Sequence, residues 1–244
     1  MIFFGRSWRG AISIDPRKIA GSLGLFAGHP ADSVVSGTDI FAELPSPRAQ
    51  PRKGWAPARL RSGVTALLCG WIDNAEDLAK RLGRDSSVPD SLLYAAAVER
   101  WGDDADRRIV GTYAAIVTLP NGTVRLSRSP WTNRALFYHC EGDVLLASSI
   151  PRPLFSSGLP KQLRQNGIDK LLSLEMLEDD ETLFEGVHAV RTGTVVKIDR
   201  AGPKEIRWYD PLAIPMVRFR TDAEYLEAAN ALLSDAVGKA LSSA

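Results

Sequence analysis

The chain has 244 residues, of which 30 are lysine or arginine and 29 are aspartate or glutamate, so its formal net charge is +1. This balance gives no broad electrostatic field that would attract nucleic acid or an anionic membrane. A content of 45% hydrophobic residues excludes a wholly disordered chain. No apolar run approaches the roughly 18 to 20 residues that span a bilayer, and the apolar patch at residues 2–4 is too short for a signal sequence. We therefore expect a protein of the cytoplasm with no nucleic-acid and no membrane partner.

The first 60 residues mix short apolar runs with residues that break helices and strands. Repeated proline between residues 44 and 57 predicts a loop. A buried strand is predicted at 64–70, followed by a helix at 74–82 that Asp73 or Asn74 would cap. A second helix is predicted from residue 89 to Gly102, whose freedom to adopt positive φ suits a helix end.

The second half predicts mainly strands. A strand at 112–119, an Asn-Gly turn and a strand at 123–127 form a hairpin, and further strands are predicted at 135–140, 144–148 and 193–199. Residues 160–185 suggest two helical pieces, and prolines favour an extended segment at 208–215. An amphipathic helix is predicted at 222–241, and such a face at a terminus usually docks on another element. Short strands with few helices indicate an α+β fold with antiparallel sheets.

Several segments taken together resemble one family. They run in order from about residue 64 to residue 200: Val98-Glu-Arg-Trp-Gly102, Ile109-Val-Gly-Thr-Tyr-Ala-Ala115, Arg128-Ser-Pro-Trp-Thr-Asn-Arg-Ala-Leu-Phe-Tyr138, Leu146-Ala-Ser-Ser-Ile150 and Thr182-Leu-Phe-Glu-Gly-Val187. Their order and spacing resemble the N-terminal domain of asparagine synthetase-like proteins. That family includes glutamine-dependent asparagine synthetase, β-lactam synthetase and the lasso-peptide macrolactam synthetases.

The resemblance implies a class-II amidotransferase, or N-terminal-nucleophile, fold: an αββα sandwich of two antiparallel sheets between helical layers. In members that use glutamine, a cysteine exposed as the first residue attacks the carboxamide, with its own α-amine as the base. This sequence reads Met1-Ile2-Phe3 at that place. We therefore expect no catalytic nucleophile there.

The resemblance also locates a vestigial oxyanion and glutamine cleft at Cys69, Gly70 and Asp90. The family's oxyanion hole comes from an Asn-Gly pair in "N-G-E-i-Y-N", where this chain has Cys69-Gly70. Replacing the amide donor with a thiol would remove about 3 to 4 kcal/mol of transition-state stabilisation. Asp90 matches the acid of "S-D-x-E" that holds the glutamine ammonium, but an aspartate at a helix start is also a common N-cap.

Other residues are weaker candidates. An arginine could clamp a glutamine carboxylate, but no motif chooses among Arg48, Arg52, Arg59 and Arg61. Two family carboxylates are replaced by Ser129 and Ser149.

Three possible nucleophiles each have a simpler interpretation. Cys69 on a buried strand is typical of a small core residue, and Ser7 would need processing to be exposed. Cys140 follows His139, but neighbours in a strand point to opposite faces, so direct activation is not expected. Two cysteines and three scattered histidines predict no disulfide framework and no metal site.

The resemblance leads to a functional hypothesis. Residues 1–205 would form a degenerate glutaminase-like domain, and residues 206–244 a linker and the first helix of an ATP-dependent synthetase domain outside this chain. That domain, the partner we expect, would adenylate a carboxylate with ATP and Mg²⁺ before a substrate amine displaces AMP, as in lasso-peptide macrolactam formation. No cofactor is expected in this chain. A precursor peptide or associated biosynthetic proteins are further candidate partners.

Two alternatives remain open at this stage. The chain could be part of an active glutamine-hydrolysing asparagine synthetase whose true start lies elsewhere or whose nucleophile is unorthodox. It could also be a stand-alone scaffold that binds a peptide or protein through the old glutamine cleft.

Overall fold

The computed structural model describes residues 1–44, 55–85 and 87–242, and for the last four of these it describes the backbone only. Arg48, Arg52 and most of the loop expected at 44–57 lie outside the described residues. Within them, twelve strands form two six-stranded antiparallel sheets, in the orders β10-β8-β9-β1-β3-β2 and β12-β11-β7-β6-β5-β4. The described part of the chain contains no helix that is both long and apolar enough to cross a membrane.

The first sheet contains strands from both ends of the chain. Its strands are β1 (Ile2–Ser7), β2 (Asp32–Ser36), β3 (Asp39–Glu43), β8 (Phe137–Glu141), β9 (Val144–Ser148) and β10 (His188–Ala189). The helices α1 (Pro16–Gly24) and α4 (Arg152–Ser156) pack on its outer face through an apolar cluster that includes Phe3, Ile19 and Leu154. Helix α1 begins with Pro16 after Asp15, whose side chain accepts a hydrogen bond from the Arg17 N–H at 2.9 Å.

The second sheet is built mainly from hairpins. Its strands are β4 (Ala58–Arg59), β5 (Thr65–Ile72), β6 (Gly111–Thr118), β7 (Val124–Arg128), β11 (Thr194–Asp199) and β12 (Gly202–Arg207). The helices α2 (Ala75–Leu82) and α3 (Asp90–Trp101) cover its outer face. Helix α5 (Gln165–Leu172) lies in the connection to β10, and α6 (Asp222–Ser242) ends the described chain.

A third apolar cluster fills the space between the two sheets. It joins Ile2 and Phe4 of β1 to Leu67 and Cys69 of β5 and to Ile116 of β6. Helices therefore cover both outer faces of a two-sheet core, and the αββα sandwich expected from the resemblance is confirmed.

The structure differs from the sequence predictions in two connecting segments. Only α5 is helical between residues 160 and 185, because Glu175 and the acidic run 178–181 would place like charges on neighbouring helical turns. Residues 208–215 are not fully extended. Asp210 accepts a hydrogen bond from the Leu212 N–H at 3.0 Å and starts a 3₁₀ turn at Pro211–Ala213.

Candidate functional site

The start of β1 lies inside the sandwich. Ile2 has no exposed surface, and its N–H donates to Ser149 Oγ at 3.0 Å. Its carbonyl oxygen accepts from Ser148 Oγ at 3.1 Å and from the Ser149 N–H at 3.0 Å. The Met1 amino group donates to the Leu44 carbonyl at 2.8 Å. An aliphatic side chain therefore occupies the position at which the resemblance expects a nucleophile.

Cys69 lies on β5 and packs in the same inter-sheet cluster as Ile2. It is a free, buried cysteine. A thiol enclosed by apolar side chains behaves as a small core residue, as the sequence interpretation expected. The structure thus brings Ile2 and Cys69 into one apolar cluster.

Gly70 requires a backbone that other residues rarely adopt. Its φ is +129°, and a Cβ added there would stand 1.9 Å from the Thr112 carbonyl oxygen. Any side chain would therefore force β5 and β6 apart where Gly70 pairs with Tyr113. Gly70 therefore makes a sharp turn in β5 directly after Cys69.

Asp90 is the first residue of α3, but it does not cap that helix. The N-cap residue is Pro89, and Asp90 Oδ2 instead accepts a hydrogen bond from the Ile72 N–H at 2.8 Å. Partial burial raises the pKa of Asp90, while the Ile72 N–H lowers it and the nearby charge of Asp73 raises it further. The N-cap interpretation is therefore wrong, and the carboxylate fixes the end of β5 two residues beyond Gly70.

The segment after Gly70 is fixed by further side chains. Trp71 Nε1 donates to Asp73 Oδ1 at 3.0 Å, and the Arg134 guanidinium lies 5.7 Å from the centre of the Trp71 ring. Asn74 is the N-cap residue of α2 but makes no capping bond. Its side chain bonds the backbone of Arg108 and Val110 at 3.0 and 2.9 Å.

Sequence reasoning missed Arg134, because only the fold brings residue 134 close to residue 71. The two serines that replace family carboxylates were noted in the sequence but given no role. Ser149 holds the backbone of Ile2, and Ser129 Oγ accepts from the Tyr113 N–H at 2.9 Å. Ser149 therefore fixes the start of β1, and Ser129 fixes β6.

The remaining candidates lie away from one another. Cys140 packs in the inter-sheet cluster, whereas the Nδ1 of His139 lies 2.8 Å from the Gly186 carbonyl oxygen, so the prediction of opposite faces is confirmed. Ser7 is the last residue of β1. Arg59 and Arg61 are exposed, and neither forms an ion pair with a described residue.

These residues form a structural turn at the end of β5. The described part of the chain also contains no group of three or more His, Cys, Asp or Glu side chains that could hold a metal ion.

Comparisons with known proteins locate this arrangement within a family. A family profile described as the glutamine amidotransferase domain matches residues 56–209. That stretch holds Cys69, Gly70 and Asp90 together with all six strands of the second sheet. Among curated proteins, no sequence matches the chain.

Two solved structures with TM-scores above 0.5 show the same fold at low sequence identity. The glutamine phosphoribosylpyrophosphate amidotransferase of B. subtilis is 13% identical with a TM-score of 0.55, and the match covers 86% of this chain and 49% of that one. A structure described as the allosteric regulatory enzyme of purine biosynthesis is 14% identical with the same TM-score and coverage. A class-II glutamine aminotransferase domain protein from Silicibacter pomeroyi is 12% identical with a TM-score of 0.43, over 85% of this chain and 98% of that one. This chain spans about half the length of the first two of these proteins.

Proposed function

The chain belongs to the glutamine amidotransferase domain family, and from this premise we propose that it is the glutaminase-like domain of an ATP-dependent, amide-bond-forming ligase of the asparagine synthetase type. We propose further that its own glutamine hydrolysis has been lost. The proposal includes a second domain that activates a carboxylate with ATP and Mg²⁺. An amine of the substrate then completes the amide bond, as in lasso-peptide macrolactam formation.

The observation that carries the proposal is the burial of Ile2 beside Cys69 in one apolar cluster. Glutamine hydrolysis by this fold needs a thiolate with a base beside it and an amide donor for the oxyanion. The hydrocarbon side chain of Ile2 can form no thioester. Loss of the oxyanion donor alone removes on the order of 10² to 10³ in kcat in other enzymes.

A ligase that takes its amine from the substrate has no need of ammonia. This reasoning favours the kind of family member that forms a lactam and disfavours a glutamine-dependent asparagine synthetase. The retained Gly70 turn and the Asp90 contact with Ile72 are explained equally well by folding, because both join β5 to its neighbours.

The first test is glutamine hydrolysis by the purified chain, after mass spectrometry has identified its N-terminal residue. We expect no release of glutamate or ammonia above the rate without protein. Cys69→Ala and Cys140→Ala variants serve as controls. Release that either variant abolishes would identify a relocated thiol and an active amidotransferase, which contradicts the proposal.

A rebuilt site sharpens the test. Ile2→Cys together with Cys69→Asn restores the thiol and the amide donor that the family uses, once the initiator methionine has been removed. Hydrolysis that appears only in this double variant would mean that the remaining cleft still accepts glutamine and that these two positions account for the loss.

The ligase half has a separate test. We expect the reading frame to continue into an "S-G-G-x-D-S" nucleotide loop, and the full-length protein to exchange pyrophosphate into ATP only when its carboxylate substrate is present. A protein without such a loop would support the scaffold alternative.

A further inference from the structure

A cavity opens between the two sheets, at the end away from Ile2 and Cys69. Its volume is about 340 Å³, within the range of small-molecule sites. Thr65 lines it at the start of β5, four residues and roughly 13 Å along the strand from Cys69. The cavity is therefore distinct from the vestigial cleft.

Polar side chains replace the apolar core at this end. Thr65 and Thr118 are paired across β5 and β6 and are only 6% and 5% exposed, yet both line the cavity. Thr65 Oγ1 donates to the Gly63 carbonyl at 3.2 Å. The Thr118 hydroxyl forms no hydrogen bond with any described residue. The hydroxyl of this cavity-lining residue can therefore bond a molecule that enters the cavity.

Two arginines set the charge of the cavity. Arg6 is buried and binds Asp39 through two bonds of 2.6 Å, and its Nη1 donates to the Gly122 carbonyl at 2.6 Å. Three of its five N–H groups are thus used, and its charge is balanced by Asp39. Arg59 at the exposed rim has no ion-pair partner among the described residues. The lining therefore carries one uncompensated positive charge.

The part of the lining that comes from the first sheet includes two apolar residues, Val34 of β2 and Phe41 of β3. A ligand that satisfies both sides would have one anionic group for Arg59 and the Thr118 hydroxyl, and a hydrocarbon body for Val34 and Phe41.

We propose that this cavity binds a small organic monocarboxylate. The carboxylate is held by the Arg59 guanidinium and the Thr118 hydroxyl, and its apolar body packs against Phe41. The site uses none of the residues of the glutamine cleft, so it stands or falls independently of the proposed function.

Isothermal titration calorimetry tests this with a panel of monocarboxylates from butyrate to 3-phenylpropionate. We expect 3-phenylpropionate to bind at least tenfold more tightly than the uncharged 3-phenylpropanamide and than inorganic phosphate. Arg59→Gln should weaken binding at least fivefold. Arg61→Gln removes the same charge from an exposed arginine two residues away that does not line the cavity, and it should have no effect.

Thr118→Val removes the hydroxyl at almost unchanged volume and should also weaken binding. If this variant fails to fold, Arg59→Gln on the exposed rim still decides the question. No binding by any member of the panel, equal binding of the amide or of phosphate, or equal losses from the two arginine variants would each overturn the proposal.

Discussion

Asp90 joins two elements through one hydrogen bond. Its carboxylate accepts from the Ile72 N–H at the end of β5, while its own backbone starts α3. The bond is part-buried, so removing the acceptor leaves the Ile72 N–H in a site with limited access to water. Its value to the fold therefore comes from satisfying a backbone donor rather than from the negative charge.

This separation predicts opposite results for two substitutions. Asp90→Ala removes the acceptor and should lower the free energy of unfolding by about 1 to 3 kcal/mol, as for other partly buried donors left without a partner. Asp90→Asn keeps an acceptor oxygen and should be neutral or stabilising at pH 7. Urea unfolding of both variants checks this, and an Asp90→Asn loss as large as that of Asp90→Ala would show that the charge itself is needed.

The pH dependence of the free energy of unfolding follows from the burial of this carboxyl group. Burial raises the pKa of Asp90 above the ordinary aspartate value of about 3.9, so between the two pKa values the folded state holds more protons than the unfolded state. The free energy of unfolding therefore falls as pH rises through this interval. Asp90→Asn lacks this contribution, so its advantage over the natural protein should grow from below pH 4 to pH 7.

Residue positions were largely predictable in this cleft, but their contacts were not. The motif order singled out Cys69, Gly70 and Asp90, and the structure places the first two on β5 and the third against Ile72 at its end. The partner of Asp90 lies 18 residues away in sequence and Arg134 lies 63 residues from Trp71. Such pairs depend on sheet register and strand order, which hydrophobic periodicity does not encode.

At the scale of elements, a buried polar network fixes the helical layer on the second sheet. Asp106 Oδ1 accepts from Tyr94 of α3 at 2.8 Å, from Tyr113 of β6 at 2.9 Å and from Ser127 of β7 at 2.6 Å, and Oδ2 pairs with Arg125. Arg125 Nη1 also donates to the Tyr94 hydroxyl at 2.7 Å. Burial raises the pKa of both tyrosines, so both remain protonated donors at neutral pH.

Breaking this network should be far more costly than breaking a surface pair. Asp106→Asn leaves the Arg125 charge buried without compensation, and we expect a loss of about 3 to 5 kcal/mol in the free energy of unfolding. Asp77→Asn disrupts the exposed pair with Arg81 at 2.9 Å and should cost less than about 1 kcal/mol. Urea titrations of both variants compare them, and similar losses would mean that the network adds no more than a surface contact.

Sequence reasoning missed strands β1 and β12 for two different physical reasons. Strand β1 contains Gly5, Arg6 and Ser7, and its first five residues are all buried, so it shows no alternation. Arg6 is tolerated there because Asp39 of β3 neutralises it. Strand β12 contains Pro203 and exposed charged residues, which is typical of a sheet edge and resembles a loop in sequence. Helix α3 and the β6–β7 hairpin were predicted correctly because local capping and turn residues specify them.

At the scale of the whole molecule, the C-terminal segment stands apart from the sandwich. The three apolar clusters contain no residue beyond 198, and α6 exposes Leu226, Leu233 and Val237 by 65%, 63% and 49%. Trp208 and Tyr209 differ, because the N–H of each donates to the Gly193 carbonyl, at 3.1 and 3.2 Å. The sandwich therefore extends through Tyr209, where the family match also ends.

This arrangement predicts where the chain can be shortened. A protein ending at Asp210 removes residues that, up to residue 238, are all exposed except the half-buried Ala228. It should keep its thermal midpoint within about 2 °C of the parent, since surface changes alter stability by about 0.5 kcal/mol. A protein ending at residue 205, the boundary expected from the resemblance, cuts β12 before Arg207 and removes Trp208 and Tyr209. Its midpoint should fall by at least about 4 °C, because it loses a strand end and the contacts with Gly193. Thermal unfolding followed by circular dichroism compares the two. If the longer protein also loses stability, α6 packs on the sandwich in solution and is not an element that awaits a partner domain.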